Sequence, residues 1–120
     1  MRSRLEEYVA AQLKRQKIKV EYEPFKLDYV IPSSKHKYTT DFLIVGTNKL
    51  IEVKGKLDAE TRKKMLLIKE QHPEWQICFI FGRASNKLSK NSKTTYAMWA
   101  DKNNFLWIDK TQAIPKGWLK

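Results

Sequence analysis

The sequence predicts an α/β protein with a mixed β-sheet flanked by helices. Three observations carry this. Leu5, Tyr8, Val9 and Leu13 recur at helical spacing near the N-terminus. Several alternating or apolar strand-like segments follow, the strongest being the near-continuous apolar run over residues 75–81. Helical patterns then separate the later strands, giving the order helix, several strands, helix, strand, helix, strand.

The first helix is expected over about residues 3–16, opened by Ser3 and Glu6 in a Ser-x-x-Glu capping box. Val20-Glu21-Tyr22-Glu23 alternates, Pro24 interrupts, and residues 26–31 alternate again before the turn Pro32-Ser33-Ser34. Residues 38–45 read as one strand and residues 49–54 as its return, joined by Gly46-Thr47-Asn48 into a hairpin. Asp58 caps a helix running to about His72, with Met65, Leu66 and Ile68 apolar and Pro73 beyond its end, where the His72 ring is expected on the last carbonyls. The run 75–81 is the expected sheet centre. A solvated basic loop at 83–93, a helix at about 95–103, a strand at 105–108 and a tail with Pro115 and Trp118 complete the chain.

At 120 residues and 42% hydrophobic content, the chain suits one domain, residues 1–120, and excludes global disorder. Lys and Arg total 24 against 13 acids, a formal charge of +11. Such an excess in a small domain points to a polyanion, most often nucleic acid. The single cysteine, Cys78, excludes an intrachain disulfide and a Cys-rich zinc site, and it reads as a small buried hydrophobe. The sequence shows no signal-peptide pattern and no apolar run near ~20 residues, so the expectation is a reducing cytoplasm and no membrane. There is no Gly-x-Ser-x-Gly and no Gly-rich phosphate cradle, and no small organic cofactor is expected. The Tyr and Trp residues fall in strand and helix patterns and are assigned to core or dimer contacts.

The chemistry concentrates in Asp41 on one hairpin arm and Glu52-Val53-Lys54 on the other. Alternation places Glu52 and Lys54 together on what reads as the polar face, with Ile51 and Val53 on the opposite, core face. Folding at Gly46-Thr47-Asn48 can bring Asp41 beside them. Two close carboxylates repel unless a cation joins them, and hard oxygen ligands suit Mg²⁺, with Mn²⁺ as a substitute. Asp41, Glu52 and the Val53 backbone carbonyl are the candidate ligands, with Lys54 beside an attacking water. The pattern Asp-x₁₀-Glu-x-Lys resembles the PD-(D/E)xK nuclease signature. The bland alternative is a solvated Glu–Lys pair, worth about 0.2–1 kcal/mol.

The chain also resembles the phage endonuclease I family, the Holliday-junction resolvases of short-tailed bacteriophages. The resemblance lies in Arg2-Ser3 with Leu5-Glu6, Glu21-Tyr22-Glu23, Tyr29-Val30-Ile31-Pro32, His36, Tyr38-Thr39, Asp41-Phe42-Leu43 and Glu52 with Lys54-Gly55. It continues through Arg62-Lys63-Lys64, Leu66-Leu67-Ile68, Glu70-Gln71-His72-Pro73-Glu74, Thr94 with Tyr96, Ile114-Pro115 and Trp118. Thr40 stands where the signature's name expects Pro, and Val53 where the best-known family member has a polar residue.

The resemblance implies a restriction-endonuclease-like fold and an intertwined, domain-swapped homodimer in which residues 27–41 cross between lobes. It implies four catalytic residues, Glu6, Asp41, Glu52 and Lys54, with Glu6 supplied by the other chain and helping to bind a second ion of up to two per site. Without it, Glu6 reads as a capping residue. The implied function is paired, metal-dependent nicking of four-way DNA junctions in the cytoplasm of an infected bacterial host, leaving 5′-phosphate and 3′-hydroxyl ends. Expected contacts to DNA phosphates are Arg62, Lys63, Lys64, Arg83, Lys87, Lys90, Lys93 and His36. The alternatives are a related nuclease acting on mismatched, branched or linear DNA, or a nonenzymatic DNA-binding module.

Overall fold

A computed structural model describes residues 3–31 and 34–120. Arg2 of the N-terminal motif, and Pro32 and Ser33 of the expected turn, lie outside the described residues. The elements are α1 (Arg4–Arg15), β1 (Val20–Tyr22), β2 (Lys26–Ile31), β3 (Ser34–Thr39), β4 (Phe42–Ile44), β5 (Lys49–Lys54), α2 (Ala59–Gln71), β6 (Gln76–Phe81), α3 (Tyr96–Lys102) and β7 (Leu106–Asp109), followed by a 3₁₀ turn at Lys116–Leu119. No helix among the described residues is long and apolar enough to cross a membrane.

The main sheet has the order β1-β4-β5-β6-β7. β1, β4 and β5 are antiparallel, and β5, β6 and β7 are parallel, so the sheet is mixed as expected. The two parallel steps are made through α2 and α3. Both helices pack on one face, where Met65, Ile68, Trp99 and Ala100 meet Leu50, Phe79 and Phe81. Right-handed crossovers that step in one direction across a sheet stack on the same side. The other face is covered by α1 through Val9 and Leu13, which meet Phe42, Ile51, Val53 and Ile80, with Ile114 and Trp118 closing the end.

Three expectations change at this level. The strand read over 38–45 is broken at Thr40 and Asp41: β3 pairs with β2 in a separate two-stranded ribbon, and only β4 joins the main sheet. Glu23, at φ 44°, turns the chain out of β1 towards the ribbon, and its N–H donates to the Asp41 carbonyl at 2.8 Å. The central strand is β5 rather than β6. Lys49, Glu52 and Lys54 disguise β5 in the sequence, yet all its residues but Lys54 are buried. The face carrying Leu50, Glu52 and Lys54 is therefore no polar face but the underside of a core. The solvated basic loop expected at 83–93 is present with its four cations exposed, tied down by Leu88 N–H to the Thr94 carbonyl (2.9 Å) and Tyr96 N–H to the Asn86 carbonyl (2.8 Å).

The hairpin turn is as read, with Gly46 at φ 84°, a region that disfavours side chains. The ribbon docks on the C-terminal end of α2. Gln71 brackets Val30, accepting from its N–H and donating to its carbonyl, both at 2.8 Å. The His72 ring, expected on the last helix carbonyls, instead donates to the Asp28 carbonyl of β2. The reason is that the backbone N–H of His72 already serves Ile68, while the ribbon offers a free carbonyl alongside.

At the break, Thr40 is wholly buried and its Oγ1 has no hydrogen-bond partner. A buried unsatisfied hydroxyl costs about 1–3 kcal/mol. Thr40→Val keeps the branched shape and should raise stability by about 1 kcal/mol in urea unfolding. A fall in stability would show that the hydroxyl is satisfied.

Candidate active site

The site arises where β4 ends before β5 does. The register pairs Phe42 with Ile51, so a continued ladder would set Thr40 opposite Val53. The chain turns away at that point, and the Asp41 carboxylate takes the ladder's place, its Oδ2 accepting from the Val53 N–H at 2.9 Å. Amide and carbonyl of one strand residue point to the same side. The Val53 carbonyl therefore faces the same opening as Asp41, while the neighbouring Lys54 carbonyl is taken by Gly82 N–H on the other side at 3.0 Å.

Glu52 lies one residue earlier on the helix-covered face, only 3% exposed. Its Oε1 is 3.2 Å from the Lys54 Nζ, and its Oε2 accepts from the Tyr38 hydroxyl. The Lys54 side chain keeps 24% of its surface exposed and so connects this buried carboxylate to solvent. Lys64 of α2 stands over the Tyr38 ring, 5.2 Å from its centre, and its charge also acts on Glu52.

Glu6 serves two structures at once. It forms the expected capping box, with Glu6 N–H to Ser3 Oγ at 3.0 Å and Ser3 N–H to Glu6 Oε1 at 3.1 Å. Its carboxyl also lies near enough to the Asp41 side chain of the same chain to act on it electrostatically. Glu6, Asp41, Glu52 and Lys54 are thus brought together within one chain.

Burial pushes the Asp41 carboxyl up from 3.8 to about 7, with the Val53 N–H opposing and the neighbouring Glu6 charge reinforcing the shift. Burial raises Glu52 from 4.5 to about 7 against the attraction of Lys54 and Lys64. Desolvation thus outweighs the local lysines at both acids. This is the donor chemistry that a divalent cation fits: two hard carboxylates short of positive charge, with the Val53 carbonyl facing the same opening. Among the described residues, no three His, Cys, Asp or Glu side chains form a cluster able to hold an ion by themselves. A cation there would have to draw its remaining ligands from water and phosphate, as Mg²⁺ does.

The expected DNA-contacting cations are spread around the molecule. Lys64 points into the site. Arg62 Nη1 donates to the Leu57 carbonyl at 2.7 Å, tying the segment before α2 to the helix, and Lys63 is exposed one residue on. His36 lies on the ribbon two residues outward from Tyr38 on the same face, stacked on Tyr29 with ring centres 5.4 Å apart. Arg83, Lys87, Lys90 and Lys93 line the exposed 83–93 segment. Sequence reasoning missed Tyr38 as a site residue and the inward aim of Lys64. The signal for Lys64 was available, since it lies four residues before buried Ile68 and so flanks the buried stripe of α2.

Both raised acids hold their protons more tightly when folded than when unfolded. Between about pH 4 and 7 the folded state therefore binds more protons, and stability falls as pH rises through that window. Asp58 and Asp109 are shifted down and act oppositely, but only at the acid end. In chelator, the unfolding midpoint should decline from pH 5 to 7.5, and Asp41→Asn with Glu52→Gln should flatten the decline. A midpoint that rises over this range in the unsubstituted protein would contradict the assignment.

The chain matches the family described as Phage endonuclease I over residues 1–120. It is 44% identical over 119 residues to a protein named Endonuclease I of Escherichia phage T7, covering 99% of this chain and 78% of that one. It is 47% identical over 109 residues to one named Endodeoxyribonuclease 1 of Enterobacteria phage T3, covering 91% and 71%. With the whole chain matched, and with Asp41, Glu52 and Lys54 drawn together at the end of the central strand, this protein belongs to the phage endonuclease I family.

Proposed function

We propose that the protein is a structure-selective endodeoxyribonuclease that resolves four-way DNA junctions. It would act by divalent-cation-dependent hydrolysis in the cytoplasm of an infected bacterial host. The observation that carries this reading is the pair of buried carboxylates, Asp41 and Glu52, joined to solvent through Lys54 in a chain of charge +11. The relatives' names, an endonuclease and an endodeoxyribonuclease of phages, support DNA as substrate and an endonucleolytic cut.

Asp41, Glu52 and the Val53 carbonyl would hold Mg²⁺ or Mn²⁺, with Glu6 placed to serve a second ion. A cation held there would supply Lewis-acid chemistry, polarising a phosphodiester oxygen and acidifying the attacking water. The remaining work belongs to the chain. The Val53 N–H fixes the plane of the Asp41 carboxylate, and the Tyr38 hydroxyl fixes one oxygen of Glu52. Lys54 uses one of its three N–H donors on Glu52 and has two left for the water and a phosphate oxygen. Water oxygen bonds to phosphorus and releases a proton to solvent, the bond to the 3′ oxygen breaks, and that oxygen takes up a proton. The ends are a 5′-phosphate and a 3′-hydroxyl.

Two opposed strands must be cut to resolve a junction, so two sites are needed, and a two-fold homodimer supplies them. In the crossed form of that dimer, residues 27–41 pass between lobes and Glu6 completes the partner's site. The ribbon of β2 and β3 forms a sheet separate from the main one, which supports its use as an exchangeable unit.

A labelled four-way junction should be nicked in pairs with Mg²⁺ and left intact in chelator. Asp41→Ala, Glu52→Ala and Lys54→Ala should each lower the rate by at least about 10²-fold while junction binding persists, because the surface cations dominate affinity. Near-normal cutting by any of the three, or equal cutting of linear duplex by the unsubstituted protein, would defeat the reading.

Mixed refolding tests the dimer. Glu6→Ala and Asp41→Ala subunits, each inactive alone, should regain nicking when refolded together, because in a crossed heterodimer one site has both residues. If every site is built within one chain, both sites of the heterodimer lack a residue and no activity returns.

A further inference from the structure

Beside the catalytic carboxylates, the carboxyl ends of the three parallel strands open into a cleft of about 520 Å³. In open sheets with parallel strands, ligands gather at this edge. Gly55 and Gly82 form its floor at the ends of β5 and β6. The first turn of α1 lies over these strand ends through Leu5. A Cβ on Gly82 would stand 3.4 Å from Leu5 Cδ2 and 3.7 Å from the Gly55 Cα. That close approach brings Arg4 over the cleft from α1, facing Arg83 just after β6 and Lys110 just after β7.

The cleft's charge is compensated only in part, since the Asp109 carboxylate lies within electrostatic reach of Lys110. Arg4, Arg83 and Lys110 line it, no carboxylate does, and none of the three has an ion-pair partner among the described residues. The two nearest acids by sequence are occupied elsewhere. Asp109 accepts from Ala84 N–H at 2.8 Å and from the Thr111 hydroxyl at 2.9 Å, and Glu6 is turned to Ser3 and Asp41. Lys110 is held in place by its backbone N–H on the Phe81 carbonyl at 2.9 Å, and its ammonium rests over the Tyr8 ring at 5.4 Å. Asn86 adds an amide to the same wall.

We propose that this cleft binds a backbone phosphate of the DNA strand being cut, immediately beside the scissile phosphate, through Arg4, Arg83 and Lys110. The proposal rests on the nuclease reading above. Gly55, which lines the cleft, directly follows Lys54, so the cleft opens at the end of the strand that carries Glu52 and Lys54. A DNA strand held in the cleft would pass that strand end on its way to the catalytic centre. Fixing a flanking phosphate holds the scissile one in line for attack, which is a positioning role. It also adds one phosphate's share to the salt dependence of binding.

The test uses a four-way junction with one phosphate, on either side of the mapped nick, replaced by an uncharged methylphosphonate. For the unsubstituted protein, the replacement on one side should slow nicking about tenfold, the loss of one charge-assisted contact. In Arg83→Gln/Lys110→Gln, nicking of the normal junction should already be slowed to that extent, and the replacement should have little further effect. The position of the cut should not change. In an Asp41→Asn background, the same double substitution should flatten the log–log salt slope of binding by about 0.9 per phosphate lost. Lys14→Gln, on the far turn of α1, serves as the charge control and should leave rate and slope unaltered. Unfolding midpoints equal to the unsubstituted protein's would confirm that the variants fold. Arg4→Gln alone provides an independent check from the other wall.

Equal methylphosphonate effects in both proteins, or a double variant with unaltered rate and slope, would overturn the cleft assignment while leaving the nuclease reading standing. If the unsubstituted protein cut no DNA of any form, the nuclease reading would fail and the cleft proposal with it.

Discussion

Asp41 and Glu52 are taken out of water at the one place where the sheet's ladder is interrupted, and the surrounding lysines do not fully compensate them. A buried carboxylate without sufficient positive charge keeps its proton, and both acids are pushed to about 7. Much else in the molecule follows from supporting that arrangement. β5 must be central to bury Glu52, and β4 must stop early to leave Val53 N–H for Asp41. The ribbon must leave the main sheet at Thr40 so that Tyr38 can turn its hydroxyl onto Glu52. The first turn of α1 must lie close to the strand ends so that Glu6 reaches Asp41.

The wider electrostatics complement this centre. The excess of Lys and Arg is spread over the α2 start, the 83–93 segment and the carboxyl-end cleft, so the acidic centre is surrounded by cationic surface. Under the proposed function, DNA would be drawn to that surface and its phosphates brought beside two carboxyls that burial holds near neutrality. A divalent cation would let both carboxyls ionise beside the phosphates. Substrate binding and cation binding are therefore expected to reinforce each other at Asp41 and Glu52, while the outlying lysines contribute affinity that any DNA can use.

Some of this was legible in the sequence. The α1 capping box, the Gly46 turn, the capped α2 and the buried strand β6 follow from local chemistry, and local chemistry is what the sequence exposes. The convergence of Asp41 with Glu52 and Lys54 was legible from alternation and a tight turn. The break at Thr40 was not, because residues 38–45 have uniform strand character and only the competition between two sheets decides where they part. The centrality of β5 was hidden by Lys49, Glu52 and Lys54, polar residues that tertiary contacts keep buried or half-buried. The wall formed by Arg4, Arg83 and Lys110 was beyond a linear reading, since those residues are separated in the chain and meet only through the parallel β5-β6-β7 topology.

The central claim is that desolvation leaves Asp41 and Glu52 in deficit of positive charge and that a divalent cation removes the deficit. Carboxyl ¹³C chemical shifts, followed by NMR over a pH titration with and without Mg²⁺, test it most directly. In chelator both side chains should titrate near 7, and saturating Mg²⁺ should return their titrations to the ordinary carboxylate range or below. Titrations near 4 in chelator, or midpoints that Mg²⁺ leaves in place, would contradict the account.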